Sequence, residues 1–219
     1  MMNAITAKEE FEARKRGQSP EAPKDWIRTV ALVASLSALC VATNYAMLPL
    51  PNINLMDSVV FVTGFCLGTL PGIAVASVSW LIYGTLNPQG FNLITLLTVT
   101  TSEGIYAVVG GGLSGSWLRP EGDALRSSFS GRNIGFGFVG LLATLAYDLI
   151  TNAVTGWVFY GSVLVGLLTM NFPMPLGLIH EVSNLIFFAL VVPPLIFSIE
   201  RILGLKRVSF ASASDKGGD

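Results

Sequence analysis

From Thr29 to Leu118 the chain runs ninety residues with only two charged side chains, Asp57 and Glu103. A water-soluble surface cannot be built from such a stretch, whereas a bilayer accepts it as several consecutive spans. Over all 219 residues only 12% are Asp, Glu, Lys or Arg, about half the usual share. The expected class is therefore an all-α integral membrane protein. The net charge of −1, with no basic patch beside aromatic or groove-reading motifs, excludes a nucleic-acid partner. Cys40 and Cys66 stand in apolar runs without metal-ligand or CxxC spacing and read as small apolar residues. The first 28 residues mix six basic with five acidic side chains, too acidic for a transit peptide. The apolar run that follows has no convincing small-residue cleavage site and reads as a retained helix.

Basic residues set the topology. All 13 fall in three groups: six in residues 1–28, then Arg119, Arg126 and Arg132, then Arg201, Lys206, Arg207 and Lys216. Placing each group in the cytoplasm satisfies the positive-inside bias and requires an even number of crossings between groups. Breaker clusters at Leu48-Pro49-Leu50-Pro51-Asn52, Leu70-Pro71-Gly72 and Asn87-Pro88-Gln89-Gly90 divide the first apolar region into segments near 28–47, 57–69, 71–86 and 91–113. Two more lie near 134–158 and 177–203. Six transmembrane helices with both termini cytoplasmic follow, in a cell membrane. Residues 1–27 form a charged cytoplasmic segment, 28–203 the membrane domain and 204–219 a cytoplasmic tail. The second and third segments are short: thirteen helical residues rise only about 20 Å against a core of roughly 30 Å. They are expected to be broken, or shielded from lipid by neighbours.

The outward connections contain no Lys or Arg but carry Asn52, Asn54, Asp57, Asn87, Gln89 and Asn171. Beneath them lie the ionisable residues at membrane depth, where charge is expensive and marks function by default. Asp148 stands about 21 Å up its helix, with Asn152 one turn above it, Thr144 one turn below and Tyr147 beside it. His180, Glu181 and Asn184 open the last helix, and Glu103 is near the middle of the fourth, between Thr100 and Tyr106. Polar groups from three helices are thus expected to gather in the outer half. Acids near helix N-termini are also satisfied by an aqueous interface, and Tyr147-Asp148 with Asn152 also reads as an interhelical clamp. On the first helix Ala34, Ala38, Ala42 and Ala46 recur every four residues, leaving one smooth stripe that another helix can approach closely. The glycine clusters lack the strand–loop–helix context and the Gly-Lys-Ser/Thr of a phosphate loop, so no ATPase is present.

The chain resembles the substrate-binding (S) component of an energy-coupling-factor (ECF) vitamin transporter over roughly residues 29–203. The resemblance rests on the alanine ladder, the loop Pro51-Asn52-Ile53-Asn54 and the run Asp57-Ser58-Val59-Val60-Phe61-Val62-Thr63-Gly64 leading to Gly68 and Pro71-Gly72. Tyr83-Gly84 with Asn87-Pro88-Gln89-Gly90, and Tyr147-Asp148 with Thr151-Asn152, add to it. It implies a six-helix protein that binds a vitamin near the outer surface. It also implies partners: a transmembrane coupling protein docked on Ala34, Ala38 and Ala42, and two cytoplasmic ATPases. The charged N-terminal extension has no counterpart in that pattern.

No Lys or Arg is placed in the outer half to pair an anion, so a neutral or cationic ligand is expected: thiamine, riboflavin, cobalamin or a deazapurine base. Tyr45, Tyr147, Trp157, Phe159, Tyr160 and Phe172 are candidates to stack on a flat heterocycle. No cofactor is expected. Two competing readings remain. His180-Glu181-Val182-Ser183-Asn184 is an H-E-x-x-H zinc helix with Asn replacing the second His, which would make an intramembrane metallohydrolase. A stand-alone secondary transporter would instead move its ligand without partners.

Overall fold

The computed structural model describes residues 24–88, 90–119 and 129–204. The charged segment up to Pro23, Gln89 and the tail from Leu205 onward lie outside the described residues. Within them every regular element is a helix: α1 Lys24–Ala46, α2 Met56–Leu67, α3 Thr69–Thr85, α4 Leu93–Leu113, α5 Gly131–Tyr160, α6 Val163–Thr169, α7 Leu176–Leu190 and α8 Val192–Leu203.

The local breaks have identifiable causes. Between α2 and α3 the chain turns at Gly68, whose φ of 99° is open to glycine and strained for other residues. This is two residues before the expected break. Pro71 lies instead in the first turn of α3, where no helical bond needs its missing N–H. The segment expected as one helix over 177–203 is two, bent by 46° between α7 and α8. Pro193 and Pro194 remove the N–H groups that would reach the Ala189 and Leu190 carbonyls. The freed Ala189 carbonyl accepts a hydrogen bond from Asn133 Nδ2 at 2.8 Å instead. The loop expected at 159–176 contains a short helix, α6, capped by Ser162.

The molecule is a helical membrane protein by length and composition. α4, α5 and the part of α1 from Trp26 are each long and apolar enough to cross a bilayer, and the bent α7–α8 pair passes the same test as one span. Apolar side chains such as Leu97, Val108, Phe138, Leu142, Leu149 and Ile186 face outward, a surface suited to acyl chains rather than water. α2 is apolar but only twelve residues long, a rise of about 18 Å. Ten of those twelve are buried, so α2 is surrounded by protein, as its shortness requires.

The chain runs back and forth between two ends of the bundle. At one end Arg28, Arg119 and Arg132, the described members of the first two basic groups with bonds of their own, gather around the end of α8. Arg28 donates to the Ile202 carbonyl at 3.2 Å, Arg132 donates to the Arg119 carbonyl at 3.2 Å, and Arg119 pairs with Glu200 at 2.7 Å. At the other end Tyr45 donates to the Leu86 carbonyl at 3.1 Å and Asn52 to the Leu176 carbonyl at 2.8 Å. This clustering of Arg28, Arg119 and Arg132 is what the parity of crossings requires.

Candidate functional site

Because α2 is short, its first turn lies deep in the bundle, level with the middle of α4 and α5. Asp57, expected in the outer loop, is therefore 1% exposed. It meets the ionisable residues of the other helices in one polar hub. His180 Nε2 lies 2.8 Å from Asp57 Oδ2, and its Nδ1 lies 2.9 Å from Asp148 Oδ1. Asn184, one turn below His180 on the same face of α7, donates through Nδ2 to Asp57 Oδ2 at 2.5 Å and to Thr144 Oγ1 at 2.8 Å. Tyr106 donates to the same Thr144 hydroxyl at 3.0 Å, and the Tyr147 ring stands edge-on to the imidazole with centroids 5.8 Å apart. Glu103 accepts from Trp80 Nε1 at 3.0 Å, with Asp57 and His180 as charged neighbours. Asp57, Glu103, Asp148, His180 and Asn184 are all buried.

The hub is rich in acceptors. Glu103 Oε1, Asp148 Oδ2 and Asn184 Oδ1 are buried without a hydrogen-bond partner, whereas nearly all such atoms in folded proteins have one. Each of the three is an oxygen able to receive a hydrogen bond, and they come from α4, α5 and α7. Asp57 and Asp148 contact a single imidazole with Glu103 nearby, while Arg28, Arg119 and Arg132 bond at one end of the bundle, away from the hub. The arrangement is chemically prepared for groups that donate hydrogen bonds or carry positive charge.

The remaining candidates take other places. Asn54 Oδ1 accepts from the Met56 N–H at 3.2 Å, a turn bond just before α2. Asn52, with a φ of 56°, ties the loop 47–55 to the start of α7. Both thus hold the loop over the hub. Asn152 is buried one turn above Asp148 and joins none of the hub pairings. Glu181 is half-buried on an adjacent face of α7. Asn87 lines a separate cleft of about 400 Å³ together with Trp80, Phe91, Asn92, Thr95 and Phe159. Trp80 joins the two features, since it lines the cleft and bonds Glu103. Of the expected stacking residues only Phe159 reaches this cleft, and Trp157, Tyr160 and Phe172 are exposed. Trp80 and Phe91 were not singled out from the sequence. Trp80 and Gly84 stand one turn apart on α3, with Asn87 just beyond its end, and that spacing was the available signal.

The zinc-helix reading finds little geometric support. His180 turns its two ring nitrogens towards carboxylates on two different helices, and Glu181 faces elsewhere. Among the described residues no group of three His, Cys, Asp or Glu converges as a metal-ion site. Ala34, Ala38 and Ala42 all face outward from the bundle, so the smooth stripe is not used for packing within the chain. Comparison with known protein families, characterised proteins and solved structures gives no match.

Proposed function

We infer that this chain is the cargo-binding subunit of an ATP-driven importer of the energy-coupling-factor type. It crosses the cell membrane six times with both termini in the cytoplasm. Its cargo is a small vitamin-like molecule, neutral or cationic, bound between the hub and the loop 47–55 and delivered inward. A transmembrane coupling protein and two cytoplasmic ATPases supply the energy. The observation that carries the reading is the hub itself: polar groups of α2, α4, α5 and α7 gather beneath an outer loop, with unpartnered acceptor oxygens and no Lys or Arg among them. A cargo bearing amide, ring N–H or ammonium donors would satisfy those oxygens, and an anionic cargo would meet a surplus of carboxyl groups.

The test is purification from a vitamin-replete host, followed by an absorption spectrum and mass spectrometry of the released ligand. A neutral or cationic heterocycle is expected, and a bound anion would overturn the charge reasoning. Glu103→Gln keeps an acceptor for Trp80 but loses the charge. It is expected to lower ligand occupancy about tenfold or more, the worth of one charge-assisted hydrogen bond, without changing the melting temperature appreciably. Unchanged occupancy would remove Glu103 from the site.

The outward stripe supports the docking role. Ala38→Trp adds a large side chain at an exposed position and is expected to leave fold and ligand occupancy intact. In co-purification it is expected to abolish association with the coupling protein. Retained association would place the docking surface on another helix.

A further inference from the structure

We propose that the Asp57–His180–Asp148 triad is a proton-binding site at membrane depth, where one extra proton keeps His180 an imidazolium and ties α7 to α2 and α5.

The reasoning is a count of hydrogens. Each of the two ring-nitrogen contacts, 2.8 Å to Asp57 and 2.9 Å to Asp148, has the length of a hydrogen bond and so contains a hydrogen. A neutral imidazole supplies one, leaving a lone pair on its other nitrogen. With both carboxyl groups ionised, the second contact would then bring two lone pairs together across less than 3 Å. The triad as built therefore holds one proton more than neutral histidine with two carboxylates.

That proton belongs on the ring. Asp57 Oδ2 already receives Asn184 Nδ2, so it acts as an acceptor towards both neighbours and Nε2 must donate to it. Nδ1 then either donates to Asp148 or accepts from its acid form. The ring meets Asp57 from α2 and Asp148 and Tyr147 from α5, with Glu103 of α4 and Glu181 of α7 as more distant charged neighbours. Every charge these groups can carry is negative, so a proton held on the ring lies between carboxylates with no cation of the described residues beside it.

The proton also has a mechanical role. It turns two carboxylates on α2 and α5, which repel each other, into acceptors for one cation on α7. Parting α7 from either helix, as opening the hub towards cargo held under the loop 47–55 would require, exposes the ring and frees the proton. This last step rests on the cargo-binding reading above, whereas the bound proton does not.

His180 is the only histidine in the sequence, so ¹⁵N-histidine labelling of the full chain, purified without a polyhistidine tag, gives one imidazole spectrum. At pH 8 an ordinary histidine with a pKa near 6.5 is only about 3% protonated. The expected result for the cargo-free protein at pH 8 is two protonated ring nitrogens. In Asp148→Asn one bare ring nitrogen should appear. The melting temperature of the wild type should fall from pH 7 to pH 9 more steeply than that of His180→Gln. The sign follows because the folded chain binds one proton more than the unfolded chain above about pH 6.5, so rising pH favours unfolding. A bare ring nitrogen in the wild type at pH 8 overturns the proposal and leaves the transport reading standing, even if neither variant folds. Failure to find any bound vitamin overturns the transport reading and leaves the proton site standing.

Discussion

Asp57→Ala is expected to destabilise the bundle by about 3–5 kcal/mol, the scale of a buried charge pair broken on one side. Asp57 Oδ2 is the common acceptor for His180 Nε2 and Asn184 Nδ2, so its removal strips His180 Nε2 of its partner and leaves Asn184 Nδ2 with Thr144 alone. Water cannot replace it without opening the core, because Asp57 and Asn184 are almost wholly buried. The cost is large also because of the medium. Apolar side chains gain little by leaving lipid for protein, so helix association in a bilayer depends on close packing and interhelical hydrogen bonds. Reversible unfolding by a denaturing detergent in mixed micelles measures the loss. Asp57→Asn, which keeps an acceptor for Asn184, should lose less than Asp57→Ala. A loss below about 1 kcal/mol for the alanine variant, the worth of an ordinary hydrogen bond, would mean that Asp57 does not organise the hub.

Much of the architecture was legible in the sequence, for a simple reason. Apolar runs and breakers act locally, so Asn87-Pro88 and the Pro49–Asn52 cluster end helices wherever they stand. Charge placement is nearly as local, and Arg28, Arg119 and Arg132 met at one end as their grouping required. The finer features depend on distance in space. Pro71 broke nothing because it fell in a first turn. The bend before Pro193 is stabilised by Asn133, 56 residues away. Asp57 looked like a loop residue because helix spacing says nothing about how deep a short helix begins. Its pairing with His180, 123 residues on, has no local signal. By contrast Asp148, Thr144, His180 and Asn184 stood at turn-to-turn spacing on two long helices, and these were the hub residues that helical periodicity placed on common faces.

Gly64→Ala is expected to destabilise the bundle by about 1–3 kcal/mol or more, the range of an overpacked core. A Cβ on Gly64 would overlap the carbonyl oxygen of Ala107, and a Cβ on Gly110 would overlap that of Phe61. In both cases the obstacle is backbone, which no rotamer change can move aside, so α2 must part from α4. The two contacts lie on the same helix pair, so their strains relieve through one displacement and are not expected to add fully. The double variant Gly64→Ala/Gly110→Ala should nonetheless lose the monodisperse peak in size-exclusion chromatography. Gly112→Ala is the control. It lies in the same helix as Gly110, and a Cβ there meets nothing within 4 Å, so its effect should stay within about 0.5 kcal/mol. Separating α2 from α4 also moves Asp57 away from Glu103, so ligand occupancy should fall in Gly64→Ala and not in Gly112→Ala. Equal stability of the two single variants would mean that α2 and α4 are not in backbone contact, and the hub they support would need a different geometry.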